Sequence, residues 1–392
     1  MDKEKEKAIK GYINFDEYIR HGEPNKRERA ELWNLAIGLQ AVDGLKTSNY
    51  LHETARRHIE GELTIDEARQ LIKQYYLTKT PHNANDDDAE EADKVSGNIV
   101  KVLNSPTFSF SVNGYISVHR RIFEGVFKHA GELRPYDITK QEWGLRGDTV
   151  NYLNWEDLRN ALDYDLRQEA AFDHTKLSME EFVRHISQFV ADIWQIHAFR
   201  EGNTRTTAVF TVQYLRSLGF NVENTSFAEH SWYFRNALVR ANYSNYQKRI
   251  LRDTSFLEMF FRNLLMGENN ELKNRYMLIN PPIEWQAPQK ENLNDTNRTS
   301  TEQVTEQVAE QVAEQVRILV MVIGREHYTL KQLMDRMGLK HRPNFLENYI
   351  EPAIREKYVR LLYPDKPRHP RQKYMLTVKG TILYNEMAST EY

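Results

Sequence analysis

The chain has 392 residues, 40% of them hydrophobic and 28% charged, with a formal net charge of −3; this is the balance of an ordinary water-soluble protein with room for two or three packed cores, and it excludes a disordered chain. No apolar run nears membrane-spanning length and the lysine-rich start leads into no apolar stretch, so neither a membrane partner nor a secretory signal is expected, and the expected location is cytoplasmic. The absence of cysteine removes disulfides and thiolate metal sites, and none of the 13 histidines stands at a spacing from a carboxylate that marks a metal site.

In chain order, residues 1–25 are charged and are expected to be loosely held. Residues 26–41 and 48–61 carry helical apolar spacing, the second stopping at Gly61. Thr64 followed by Glu67 is a capping box for a helix running to Gln74. The acidic run in 80–97 reads as a surface loop. Phe182, Ile186, Phe189, Val190, Ile193 and Ile196 recur at helix spacing, and a second helical pattern, through Val209, Phe210, Val212 and Leu215, stops at Gly219.

Between those two patterns lies His197-Ala-Phe-Arg-Glu-Gly-Asn-Thr-Arg205. A tight loop opening onto a helix N-terminus leaves backbone N–H groups unpaired and favours anions. Gly202 permits close approach or positive φ, Asn203 tolerates a left-handed conformation and offers an amide, and Arg205 carries a permanent fork of donors. Glu201 is a hard oxygen ligand of the kind that holds Mg²⁺, and His197 can take a proton from an attacking hydroxyl. Together these residues suit chemistry at a phosphorus centre.

The stretch closely resembles the signature of the Fic (Fic/Doc) family, which reads His-Pro-Phe-x-Asp/Glu-Gly-Asn and carries two arginines three residues apart. Tyr115 to Arg134 is similar to that family's early helix ending in an Ala-Gly-x-x-Arg turn, and Ala241-Asn242 is similar to the pair that closes its adenine pocket; the likeness runs from about residue 100 to 265. The resemblance implies a mainly α fold with a β-hairpin flap, and a protein adenylyltransferase that moves AMP from ATP to a Tyr, Ser or Thr hydroxyl of a target protein or of itself. It implies His197 as base, Glu201 as Mg²⁺ ligand, Gly202, Asn203, Thr204 and Arg205 at the phosphates, and Asn242 at the adenine. Residues 140–152 occupy the place of the flap that docks the target's backbone, with turn signals at Gly144 and Gly147-Asp148 and strand formers at Thr149, Val150 and Tyr152.

Three positions depart from the family pattern. Ala198 replaces a proline and Thr204 a glycine, so an anion cradle must form beside a β-carbon. Ala208 stands where the second arginine is expected, the one that grips the γ-phosphate in the family, which leaves a different phosphate-linked donor open. Ala55 to Gly61 partly resembles the family's inhibitory helix, with Glu60 as the regulatory residue but Arg56 at its Ser/Thr position.

From 267 to 298 helical periodicity is lost, and a four-residue repeat then places Val304, Val308, Val312 and Val316 on one drifting stripe, a spacer helix with some tendency to form a homodimer. From Arg317 to Tyr392 there are 14 Lys/Arg against 8 Asp/Glu, a local +6 that leaves −9 for the rest. Helical patterns at Ile318–Ile323, Thr329–Met337 and Pro343–Lys357, then strands at 358–363 and 373–378, follow the plan of a winged helix. DNA contacts would fall to Lys340, Arg342 and Asn344 on the helix and Lys366, Arg368 and Arg371 on the wing; docking to a protein is the competing use. The expected organisation is an N-terminal helical region (1–97), a Fic catalytic domain (98–280), a linker with the repeat (281–316) and a small α+β winged-helix domain (317–392). A nucleotide-sensing, DNA-binding regulator is the alternative to the transferase.

Overall fold

The computed structural model describes residues 15–79, 84–220, 222, 225–280, 314–367 and 369–390. Its elements begin with helices α1 (Asp16–His21), α2 (Pro24–Gly38), α3 (Asn49–Glu60), α4 (Ile65–Thr78) and α5 (Ala84–Leu103). Thr64 and Glu67 form the anticipated capping box, and α4 continues to Thr78. The acidic stretch, expected to be a loop, falls in the first turns of α5 instead. Acidic side chains at a helix N-terminus offset its dipole, and Ala92, Val95, Ile99 and Val100 on the following turns are fully buried. Buried Asp93 then accepts hydrogen bonds from the backbone N–H and hydroxyl of Ser48, the N-cap of α3, and from Tyr76 of α4. The N-terminal segment expected to be loose is ordered from Phe15 onward, whose ring is buried in the main core; residues 1–14 lie outside the described chain.

The centre is built from α6 (Val112–Ile122), α7 (Leu158–Ala171), α8 (Met179–Ile196), α9 (Asn203–Ser217), α10 (Thr225–Asn242) and α11 (Ser255–Met266). All but two residues of α9 are buried, so this helix has neighbours on every side and its N-terminus is held by the core itself. Tyr115, Phe108, Phe110 and Phe189 pack against Phe210 and Tyr214 of α9. Residues 140–152 reverse direction as expected, but without a regular strand ladder. The Glu142 N–H donates to the Asp148 carbonyl (2.9 Å), and a short 3₁₀ turn with left-handed Arg146 and Gly147 joins the two sides. One cross-chain pair is too little for a ladder, so side chains fix the loop: Glu142 to Arg235 and Tyr152, and Asp148 to Tyr243.

A second hydrophobic cluster gathers α12 (Glu314–Ile323), α13 (Leu330–Arg336), α14 (Arg342–Phe345), α15 (Glu351–Arg355), the antiparallel pair β1 (Val359–Leu361) and β2 (Tyr374–Leu376), and α16 (Val378–Thr390). A π-turn over Leu346–Ile350 joins α14 to α15, and Pro352 is the second residue of α15; a proline ring would otherwise clash with the carbonyl four residues earlier. The strand register pairs Val359 with Leu376 and Leu361 with Tyr374. Helix α16 was not apparent in the sequence. Its Ile382 enters the main core while Leu383 stays in the second cluster, and Asn385 and Glu386 bond Thr175 O and Met179 N. Of the Val stripe only Val316 is described, buried in α12; the repeat before Glu314 and residue Arg368 lie outside the described residues.

Candidate active site

Helix α8 ends because His197 adopts φ 50° and ψ 55°, a left-handed conformation unusual for a residue with a β-carbon. Arg134, itself buried, holds the turn. Its guanidinium donates to the carbonyls of His197 (2.8 Å), Tyr136 (2.6 Å) and Leu153, while its backbone N–H donates to Ala198 O (2.9 Å). His119 makes the other tie: its Nδ1 accepts from Gly131 N–H (2.8 Å) and its Nε2 donates to the Glu201 carbonyl (3.2 Å), with the ring stacked on Phe199. The Ala-Gly-x-x-Arg turn is thus fastened to both ends of the signature loop.

The imidazole of His197 is buried, and neither ring nitrogen has a hydrogen-bond partner among the described residues. Tyr152 packs on it at 4.2 Å between centroids, and Trp194 lies edge-on at 5.2 Å. Burial pushes its pKa well below the usual histidine range, and the positive charges of Lys140, Arg134 and Arg235 push the same way. The ring is therefore neutral at pH 7 and able to accept a proton.

The loop then turns through Gly202 (φ 72°), the N-cap of α9. Asn203, expected to offer its amide to phosphate, spends it locally: Nδ2 donates to Phe199 O (2.8 Å) and Oδ1 accepts from Phe199 N–H (2.9 Å). Thr204 causes no obstruction, because its hydroxyl accepts from Trp194 Nε1 (3.0 Å), which directs the side chain into the core. The first N–H groups of α9 lack intrahelical acceptors by helix geometry, which is the setting that favours an anion.

Arg205 was expected at the phosphates, but its guanidinium lies in the core. It contacts Asp43 (2.9 Å), Glu91 (2.7 Å) and Gln40 (3.0 Å) and sits 4.8 Å over the Phe123 ring. Two carboxylates already satisfy it, so it ties α9 to the N-terminal helices. The cations that do act on His197 besides Arg134 are Lys140 and Arg235. Burial lowers the Lys140 pKa, while the carboxylates of Asp43, Glu142 and Glu201 around it favour its charged form. Only contacts across the fold reveal this pair, since neither belongs to a local pattern.

Glu201 is exposed at the loop, and its carboxylate makes no hydrogen bond or ion pair among the described residues. An unengaged hard oxygen ligand beside a helix N-terminus fits Mg²⁺ carried with phosphates. Asn242 is buried, with its amide N–H groups bound to Ala191 O (2.8 Å) and Leu238 O (3.1 Å); only Oδ1 is left without a partner. Glu60, read as a regulatory residue, is bonded to Lys26 (2.7 Å) and Tyr18 (2.5 Å), and none of its described contacts reaches the signature loop. Lys340, Arg342, Asn344, Lys366 and Arg371 are all exposed, with Lys340 and Arg342 lining a cleft beside Pro367, His369 and Pro370.

The fastened loop thus brings a buried histidine and a helix N-terminus together in a helical core, within the stretch that the Fic model matches. A family model for Fic/DOC matches residues 109–215, and the model for the Filamentation induced by cAMP protein Fic-like C-terminal domain matches residues 314–377; the chain thus carries a Fic/DOC domain and a Fic-like C-terminal domain. Among curated proteins it is 32% identical over 130 residues to the probable protein adenylyltransferase y4lH of Sinorhizobium fredii, covering 32% of this chain and 62% of that one. It is 28% identical over 118 residues to the probable protein adenylyltransferase Fic of Salmonella typhimurium (30% and 55% covered). It is 25% identical over 115 residues to the protein adenylyltransferase VbhT of Bartonella schoenbuchensis (29% and 23% covered). The chain spans less than two thirds of the length of each. A solved Fic family protein from Desulfovibrio desulfuricans aligns over 95% of this chain and 93% of its own, at 17% identity and a TM-score of 0.41. Among the described residues no helix is long and apolar enough to cross a membrane.

Proposed function

We propose that the protein transfers AMP from ATP to a hydroxyl side chain of another protein or of itself. The observation that carries this reading is the buried, neutral, unpartnered imidazole of His197 among three cations at the mouth of α9. Such a place accepts a polyphosphate and a hydroxyl proton together. The target oxygen attacks the α-phosphorus as the bond to the β-phosphate oxygen breaks; pyrophosphate leaves and His197 takes the hydroxyl proton. Lys140 and Arg235 face the added negative charge, and the α9 N–H groups hold a phosphate oxygen. Glu201 would hold Mg²⁺, which when bound offsets charge on the phosphates. The three curated relatives are named protein adenylyltransferases, which supports ATP as donor. The loop at 140–152 is the docking edge for the target, residues 98–280 the catalytic unit, and Asn242 Oδ1 an acceptor for the adenine amine.

The test is labelling with ATP carrying isotope at the α-phosphate, in parallel with the γ-phosphate, with Mg²⁺ and a cell lysate. Label from the α-position alone is expected, falling on the order of 10²- to 10⁴-fold in His197→Ala. Label from the γ-position, or undiminished label in the variant, refutes the reading.

A second reading, a nucleotide-sensing regulator that binds DNA, draws on the exposed basic groups around the cleft between α13–α14 and the β1–β2 wing. Salt-dependent DNA binding that weakens in the Lys340→Ala/Arg342→Ala double variant would support it.

A further inference from the structure

At the opposite end of α8 from His197, roughly 18 Å along the helix by its rise, three ligand-type side chains meet. Glu169 comes from the last turn of α7, His174 from the 3₁₀ turn His174–Lys176 that follows, and His185 from the second turn of α8. His174 Nε2 lies 2.8 Å from one Glu169 oxygen and His185 Nε2 lies 2.6 Å from the other. All three ligand atoms fall within 4.8 Å of one another. The Tyr214 hydroxyl of α9 stands 2.6 Å from Glu169 and 3.4 Å from His174 Nε2.

We infer that Glu169, His174 and His185 form a binding site for a zinc-type divalent cation, with Tyr214 or water at the fourth position. The donor set is two imidazoles and one carboxylate, borderline and hard ligands in the His₂Glu combination that zinc takes with one position left open. The site is built rather than fortuitous. Glu169 is buried, and side chains from three other elements, the 3₁₀ turn, α8 and α9, converge on it. Phe172 stacks on the His185 ring at 3.9 Å and Phe182 lies edge-on to His174 at 5.8 Å, an apolar wall that limits water. Tetrahedral ligands at about 2.0–2.1 Å from a metal stand roughly 3.3 Å apart, so each imidazole retreats by less than about 1 Å from the carboxylate oxygen it now bonds, and the three ligand atoms, within 4.8 Å of one another, draw together around the ion. His185 is the exposed edge and gives the ion its way in.

The position supplies a consequence. The 3₁₀ turn that carries His174 is also where α16 docks, since Asn385 donates to Thr175 O at 2.7 Å and Glu386 accepts from Met179 N–H at 3.3 Å. A metal bound there stiffens the seam between the catalytic core and the C-terminal helix.

Tag-free, chelator-treated full-length protein titrated with Zn²⁺ is expected to take up one equivalent and to gain on the order of 5 °C in Tm at a hundredfold excess over Kd. His185→Ala, a change at a partly exposed position, should lose that equivalent and the Tm gain, whereas His21→Ala should keep both. Uptake unchanged in His185→Ala, or no uptake by the wild type, overturns the site. Substitution with Co²⁺ reads the same question without relying on a variant. Intense d–d bands of a four-coordinate ion without thiolate charge transfer are expected, and a spectrum like that of aqueous Co²⁺ shows only a hydrogen-bonded histidine pair.

Discussion

Gly202→Ala is the sharpest probe of how the signature loop is built. At φ 72° a β-carbon costs about 1–2 kcal/mol in backbone strain. The added carbon would also lie 2.2 Å from Cε2 and Cζ of Phe123, a contact no real β-carbon makes, so the ring or the loop must shift. Phe123 has little freedom: it is fully buried, stacked on Phe127 at 4.7 Å and covered by the Arg205 guanidinium. Overpacking of this kind costs about 1–3 kcal/mol, giving a total loss of about 2–5 kcal/mol. Trimming the ring in Phe123→Leu should relieve the packing share and leave the backbone share. Urea unfolding of the wild type, both single variants and the double variant forms a cycle whose expected coupling is about 1–3 kcal/mol. A Gly202→Ala chain within about 0.5 kcal/mol of the wild type, or strictly additive variants, would show that Phe123 does not confine the α9 N-terminus.

Arg134→Lys should destabilise the protein by about 2–3 kcal/mol despite keeping the charge, because an ammonium cannot span the carbonyls of Tyr136, Leu153 and His197 and strands at least one of them; a denaturation midpoint equal to wild type would refute it. Stability should also fall as pH drops below about 6.5. Burial holds His58 down to about 4 and His119 to about 3, and lowers His197 as well, so the unfolded chain binds protons there that the folded one refuses. Each such group adds a slope of about 1.4 kcal/mol per pH unit between its two pKa values. Urea midpoints at pH 5 and pH 7 check this, and equal midpoints would contradict it.

Most of the local framework could be read along the chain, because periodicity and caps act over a few residues. The α4 capping box, the end of α9 near Gly219 and the order of helices and strands from 314 to the second strand follow from short-range pattern, whereas α16 does not. The signature loop could be located for the same reason, its residues being contiguous. What escaped were properties that depend on partners far apart in sequence. An acidic run reads as a solvent-facing loop, and only the burial of the apolar turns after it makes it the start of α5. Arg205 and Asn203 carry the donors a phosphate needs, yet Asp43, Glu91 and Phe199 claim them, while Lys140 and Arg235 arrive from the flap and from α10. Glu169, His174 and His185 have no recognisable spacing and meet only because α7 and α8 pack side by side. The linear order of residues thus decides most of the helices and where the signature loop lies. Which charged groups face that loop is decided only by folding, since a buried charge takes the nearest partner that three-dimensional packing brings within reach.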